Sequence, residues 1–216
     1  LLDAKIIYLN YPNKPAGAVA NLPFFENAVS NAIVNNTIIL NDFAYSGITA
    51  NGYRAPSIMQ IDSARACAIE ISTLSKNYNM AGWRVAFAVG NRKLISSINL
   101  FQDHAFMGIF GGIQYAAKVA LDSPQQYVRD LADLYESRID FFIENCKKRL
   151  KWMISKPGGT FYIWAKVAIG YSSTEFAELL LNEAHIVVAP GAMFGTNGDG
   201  FIRLSMVVNI EVLNEV

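Results

Sequence analysis

The sequence predicts an α/β chain, with a mostly parallel sheet covered by helices on both faces over residues 1–121 and a smaller α+β unit over 122–216. Three observations predict it. Short β-branched runs alternate with helical patterns through the first half, a long helical series starts near Ser123, and beyond that series the pattern changes to the alternation of antiparallel strands.

Lys5 to Asn10 reads as the first strand, closed by the turn cluster Pro12, Pro15 and Gly17. Pro23 sits where a helix can begin, and Phe25, Val29, Ala32 and Ile33 recur at three to four residues, giving one apolar face through Asn35. Thr37 to Asn41, Ala68 to Thr73 and Arg84 to Val89 complete four strands, short and largely apolar as strands covered on both faces should be. A helix from Arg92 through Gln102 precedes a glycine-rich turn, Gly108 to Gly112, and a helical segment ending near Leu121.

Ser123, with Pro124 behind it, is read as the cap of the series Tyr127, Leu131, Leu134, Phe142 and Cys146, which runs to Leu150. At ~1.5 Å per residue that helix is on the order of 40 Å long, enough to link two domains. Trp152 to Ile154, Thr160 to Lys166 and Phe201 to Val207 then alternate as antiparallel strands do, and Ser172 with Glu175 forms a capping box for a helix from Thr174 to Ala184. Gly158-Gly159 and Asn197 to Gly200 read as turns with positive φ.

With 216 residues, 52% apolar and 17% charged, the chain is excluded from the disordered and collagen-like classes. Eighteen basic residues balance eighteen acidic ones, so no overall field recruits nucleic acid or an anionic membrane. Cys67 and Cys146 lie in apolar patterns without metal spacing, and a reducing, cytoplasmic setting is expected. No stretch reaches the 18 or so apolar residues of a membrane span; Ala105 to Ala117 is short and holds three glycines. The chain opens at Leu1 without a methionine or a basic-then-apolar leader, so no secretory signal is read and a fragment is expected.

Asp42, Tyr45, Lys76 and Arg84 each lie at or just beyond a strand end, where open α/β sheets place their ligand crevice. Thr73-Leu74-Ser75-Lys76 and Asn79 to Arg84 combine two hydroxyls, a lysine and an arginine around a glycine-containing turn. That is an anion site with an amine nucleophile inside it, and a lysine there is a candidate to form a Schiff base with an aldehyde. Arginine offers a planar fork to a phosphate monoester, and hydroxyls add shorter bonds. Pyridoxal 5'-phosphate, with its aldehyde, phosphate and protonatable ring nitrogen, would use all of these groups, Asp42 facing the ring nitrogen and the Tyr45 phenol the ring oxygen.

The motifs Asn10-Tyr11-Pro12-Asn13-Lys14-Pro15-Ala16-Gly17, Asn41 to Tyr45, Thr73 to Arg84 and Phe201 to Ser205 follow in one order over essentially the whole chain. In this the chain resembles the fold-type I, class I/II aminotransferases. Gly52 to Ser57 and the Lys76 segment look most like bacterial alanine, LL-diaminopimelate and aspartate aminotransferases. The resemblance implies a partial cofactor-binding large domain plus a small domain truncated at its end, with Lys76 the Schiff-base lysine, Asp42 the ring-nitrogen partner and Tyr45 the ring-hydroxyl donor. It further implies Thr73, Ser75 and Arg84 as phosphate ligands and Arg203 as the grip on the substrate α-carboxylate. It also implies an amino acid and a 2-oxo acid as partners and a homodimer in full-length form.

Two departures stand out. Lys14 occupies the place where the family normally has the Asn before proline, and Asn13 comes one residue too early to replace it. The family's chains are also nearly twice as long, so an N-terminal half is expected to be missing. Between Leu94 and Ala117 there is no Lys or Arg, where dicarboxylate-specific relatives supply an arginine to the neighbouring subunit. That favours alanine, with glutamate and 2-oxoglutarate as the partner pair. LL-diaminopimelate or aspartate transamination and a non-catalytic binding domain are the alternatives; a nicotinamide enzyme lacks its Gly-x-Gly-x-x-Gly.

Overall fold

The computed structural model describes residues 4–215. Its first sheet has the order β1-β2-β3-β4, from β1 (Ile6–Asn10), β2 (Ile38–Asp42), β3 (Ala68–Thr73) and β4 (Ala86–Gly90). The first three strands run parallel, with Asn10 opposite Asp42 and Asp42 opposite Ile71, so their C-terminal ends share one edge. The first crossover helix, α1 (Leu22–Val34), starts where Asn21 accepts the Phe24 N–H at 3.0 Å and Pro23 occupies the first turn. Its stripe of Phe25, Val29 and Ala32 is fully buried against Ile39 of β2 and Ile58.

β4 pairs antiparallel with β3. The connection between them is spent on the short helix α2 (Leu74–Asn77) and a 3-10 turn over Ala81–Trp83, both at the C-terminal end of β3, so the chain re-enters the sheet from that end. The outer strands also depart from the expected two-sided cover. Ile6 and Tyr8 are 58% and 61% exposed, and Phe87 and Val89 lie open as well. Beyond β4 follow α3 (Arg92–Ala105) and α4 (Gly111–Asp122).

Ser123 caps the wrong end of the expected helix. It is the C-cap of α4, its hydroxyl donating to the Val119 carbonyl at 2.6 Å, while Gln125 adds amide donors to the carbonyls of Leu121 and Ser123. The long helix α5 (Gln126–Asn145) starts after it and passes into a π-helical turn, Cys146–Leu150, that ends where Lys151 takes φ 56°. Trp152 to Ile154 form no strand. Trp152 is held by side chain, its indole N–H donating to the Lys166 carbonyl at 2.9 Å, so this apolar run packs against the small sheet without a ladder.

That sheet has the order β5-β7-β6 and is antiparallel, from β5 (Tyr162–Lys166), β6 (Ala189–Pro190) and β7 (Phe201–Ser205). Alternation sorts its two faces. Ile163, Ala165, Ile202 and Leu204 are buried against Ile139, Phe142 and Cys146 of the α5 segment, whereas Tyr162, Trp164 and Arg203 look the other way. The helix α6 (Ser173–Ala184) carries the expected capping box, both legs formed between Ser172 and Glu175, and α7 (Ile210–Glu215) closes the described chain. Among the described residues no helix is long and apolar enough to cross a membrane.

The two sheets meet at a seam of glycines. A Cβ on Gly17 would fall 2.3 Å from the Pro157 Cβ, one on Gly159 2.6 Å from the Pro12 Cβ, and one on Gly158 2.9 Å from the Val19 methyls. Gly17 also needs its φ of +67°. Gly158 and Gly159 do not have the positive φ expected of turn glycines; what they leave room for is the Val19 side chain and the Pro12 ring. Gly158 N–H donates to the Gly17 carbonyl at 3.0 Å, Ala50 N–H to the Gly158 carbonyl at 3.1 Å, and Thr160 N–H to the Ile48 carbonyl at 2.8 Å.

Polar ties reinforce this packing. Lys156 reaches Glu136 and Asp140 of α5 at 2.7 Å each, and Glu136 accepts the Asn51 N–H at 2.9 Å. Within the first sheet, the buried Glu70 carboxylate accepts from the Ser57 hydroxyl at 2.7 Å and from the Ile58 N–H and the Asn41 amide at 2.9 Å each. It bolts β2 and the 57–58 turn to β3.

The hydrogen bond from Lys156 holds the Glu136 carboxyl below its usual range. Partial burial works against the Lys156 ammonium, but the bonds to Asp140 and Glu136 outweigh it and the amine is pushed up. The Glu136 contribution is therefore present above the ordinary glutamate range and is lost as pH falls through the depressed value, while the Lys156 contribution is complete below the ordinary lysine range and is lost only as pH rises through the raised one. Urea unfolding of wild type and Glu136→Gln should differ most near neutrality, and the difference should vanish at the acid end; a constant gap contradicts the assignment. Glu70→Leu strands two buried donors, the Ile58 N–H and the Asn41 amide, and at about 1–3 kcal/mol each the melting temperature should drop by roughly 4 °C or more. A change under about 2 °C would show that the bolt is not structural.

Candidate functional site

Asp42 ends β2 with its side chain toward β1. Its Oδ2 accepts the Tyr8 phenol at 2.5 Å, its Oδ1 accepts the Ala44 N–H at 3.1 Å, and its carbonyl accepts the Asn10 amide at 3.0 Å. Asn10 Oδ1 in turn accepts the Lys14 N–H at 2.9 Å, so the turn after β1 hangs on the same node. Partial desolvation of the hydroxyl end of this otherwise exposed ring, and then the hydrogen bond to the Asp42 carboxylate, push the Tyr8 phenol up to about 12. Tyr8, Asn10, Asn13, Lys14, Asp42 and Tyr45 line a cavity of about 360 Å³.

Tyr45 is 5% exposed, packed edge-on against Phe161 and Tyr162 at centroid distances of 5.7 and 6.1 Å. Burial, then the neighbouring Tyr162 phenol, raise its own phenol far above the usual range, so at neutral pH it is a donor.

Lys76 sits in α2, which the sequence starts by capping: the Thr73 hydroxyl accepts the Ser75 N–H at 3.1 Å. The Lys76 ammonium lies over the Phe161 ring, 5.8 Å from its centroid. Thr73 Oγ1 is 2.8 Å from Ser75 Oγ and 3.0 Å from the Val85 carbonyl, so the two hydroxyls stand together at the start of that helix. Arg84, next in the chain to that Val85, is exposed at φ 53°, and its guanidinium turns back to donate to the Ala81 carbonyl at 2.8 Å.

Arg203, central in β7, lies opposite Trp164 of β5. Its guanidinium carbon is 4.4 Å from the Tyr162 ring centroid and 5.0 Å from that of Phe194, and its buried Nε has no hydrogen-bond partner. Phe194 ends a 3-10 turn, Gly191–Phe194, in a loop closed at its base: a Cβ on Gly191 would lie 1.9 Å from the Gly198 carbonyl oxygen. Asp199 pins that base to α6 by accepting the Ser173 hydroxyl and N–H at 2.7 and 2.8 Å.

Tyr45, Lys76 and Arg203 thus gather about the pair Phe161-Tyr162, with Asp42 in one cavity wall with Tyr45, Thr73 and Ser75 just before Lys76 in the chain, and Arg84 next to the Val85 carbonyl that Thr73 bonds. Sequence reading missed Tyr8, Phe161, Tyr162 and Phe194, and gave Asn10 no role. The parallel register that sets Asn10 opposite Asp42 could have drawn in Asn10 and, two residues back on the same face, Tyr8; alternation with Trp164 could have drawn in Tyr162. Phe194, on an irregular turn, carries no periodic signal.

The family model for aminotransferase class I and II matches residues 2–216. Transaminase BacF of Bacillus subtilis (strain 168) is 44% identical over 216 residues, which are 100% of this chain and 54% of that protein. The L-glutamine--4-(methylsulfanyl)-2-oxobutanoate aminotransferase of the same organism is 44% identical over 213 residues, 99% of this chain and 53% of its own. The substrate-bound BacF structure superposes with a TM-score of 0.96 at 44% identity, covering 99% of this chain and 55% of that one. The chain spans about half the length of the curated relatives it matches. A match running from the second residue to the last, on a fold shared at that level, makes this chain a member of the class I and II aminotransferases.

Proposed function

We propose that the native polypeptide carrying this chain moves an amino group between an amino acid, alanine by preference, and a 2-oxo acid, with glutamate and 2-oxoglutarate as the partner pair. One observation carries the reading. A carboxylate, a neutral phenol, an amine and a guanidinium come together from three segments, Tyr45, Lys76 and Arg203 about Phe161-Tyr162 and Asp42 in one cavity wall with Tyr45, and none of the charged three is spent in an ion pair among the described residues.

Class I and II aminotransferases work with pyridoxal 5'-phosphate. The donor set here fits that group. Lys76 offers an amine for its aldehyde, Asp42 an anion for its ring nitrogen, Tyr45 a protonated phenol for its ring oxygen, and Thr73 and Ser75 paired hydroxyls for its phosphate, with Arg84 assigned to the phosphate by position in the motif. When bound, the group supplies an electron sink for charge developing at the substrate α-carbon. The protein supplies the rest. With it bound, Asp42 would keep a proton on the ring nitrogen, Arg203 would orient the substrate by its carboxylate, and the Lys76 amine would be the base that takes the substrate α-proton and, once protonated, the acid that gives it back.

The absence of Lys and Arg from Leu94 to Ala117 supports a substrate without a second carboxylate. The relative named for glutamine and 4-(methylsulfanyl)-2-oxobutanoate handles side chains of no net charge, in keeping with that choice. In this reading residues 1–121 are part of the cofactor-binding large domain and 122–216 the linking helix and small domain. The native polypeptide is a cytoplasmic homodimer with no nucleic-acid or membrane partner.

Borohydride reduction of the cofactor-loaded native polypeptide, followed by peptide mapping, should place the label on Lys76; label on another lysine sinks the assignment. Alanine and 2-oxoglutarate should be exchanged by that protein, and Asp42→Asn should lower kcat by at least ~10²-fold, a magnitude taken from the loss of one preorganised electrostatic partner. Near-normal kcat in the variant, or no exchange in the wild type, overturns the reading.

A further inference from the structure

We infer that Phe194 is a positioning residue for carboxylate recognition: with Tyr162 it clamps the Arg203 guanidinium between two ring faces and keeps its in-plane N–H groups free for an incoming carboxylate. The inference rests on the reading of Arg203 as the substrate's carboxylate grip and adds what makes that grip work.

Buried or half-buried arginines are normally held in place by carboxylates, which consume the fork they orient. Arg203 is held differently. The rings of Tyr162 and Phe194 stand 4.4 and 5.0 Å from its guanidinium carbon, and among the described residues it makes no ion pair. Stacking on a π face uses the plane of the cation and none of its five donors, which point outward along the edges. Nε is buried without a partner, a state that costs free energy until an acceptor arrives. An anion meeting Nε–H and a neighbouring Nη–H together is a planar carboxylate.

The clamp is itself supported. Trp164, the cross-strand neighbour of Arg203, packs edge-on to Phe194 at 5.7 Å and stacks on Phe201 at 5.4 Å with only 10° between the planes. The loop that delivers Phe194 is closed by the Gly191 to Gly198 contact and fixed through Asp199 to the start of α6. Lysine at position 203 would not substitute, because an ammonium has neither the plane to be clamped nor the fork.

The test uses propionate, which has the carboxylate of alanine and no amine to react. Its dissociation constant for the native polypeptide would be measured by calorimetry at fixed ionic strength, with tryptophan fluorescence as a second signal and chloride as the control ion. Phe194→Leu, which keeps bulk and removes the ring, should weaken propionate by ~10-fold, the scale of one desolvated cation–π contact. Phe194→Tyr should restore it, and Arg203→Met should remove it. In the transamination assay Phe194→Leu should raise KM for alanine by a similar factor with kcat changed less than about two-fold, the pattern of lost uniform binding. Should Phe194→Leu not fold, Tyr162→Leu attacks the clamp from its other face and carries the same expectation. Unchanged propionate affinity in the ring-less variant, or equal weakening in Phe194→Tyr, overturns the clamp. If propionate follows the rings while alanine and 2-oxoglutarate are never exchanged, the clamp stands and the transamination reading falls.

Discussion

Three segments approach so closely that a Cβ is excluded at Gly17, Gly158 and Gly159, and the geometry of the site depends on that contact. The turn after β1, the stretch after Tyr45 and the Pro157 to Thr160 segment share hydrogen bonds across Gly17, Gly158 and Gly159, with Cβ positions blocked at 2.3 to 2.9 Å. Phe161 and Tyr162 follow immediately. Because the seam fixes Thr160 against Ile48, those two rings are delivered over Tyr45 and Lys76 by the backbone. The sheets are then held in one relative orientation by excluded volume, which has no alternative register, and the Glu136 to Asn51 bond adds a directional stop.

The site keeps its charges unspent. Asp42 is steadied by a phenol and a backbone N–H, Lys76 by a ring face, and Arg203 by two ring faces. Each of these partners orients an ion without neutralising it, whereas the pairs that do neutralise, such as Lys156 with Glu136 and Asp140, lie along α5 and bind segments together. Aromatic residues here act as structural substitutes for counter-ions.

How much of this was legible in the sequence follows from how local each feature is. β3 was read to the residue and β1, β2 and α1 to within one, since turn chemistry and apolar periodicity are written in neighbouring positions. The capping box at Ser172 was equally local. Ser123 was read as a start because serine before proline has that meaning in isolation; only the competing Gln125, which finishes α4 from the far side, shows that it is a stop. Trp152 to Ile154 alternate as a strand does, yet no partner strand among the described residues reaches them, and pairing is not a local property. Lys76, Asp42 and Arg203 stood out by motif, but that the rings lie against them depends on the seam, which brings residues 161 and 162 to 45 and 76, and on the irregular turn that carries Phe194 to Arg203.

The loop from Gly191 to Gly198 is closed glycine to glycine at its base and tied by Asp199 to α6, while Met193 at its tip is 75% exposed. Such a loop separates two kinds of heredity. Its length is frozen, because an inserted residue must open a contact with no slack, but its tip is cheap to rewrite. Single exchanges at position 193 therefore leave the base of the loop and the Phe194 ring in place, whereas a single insertion would displace both.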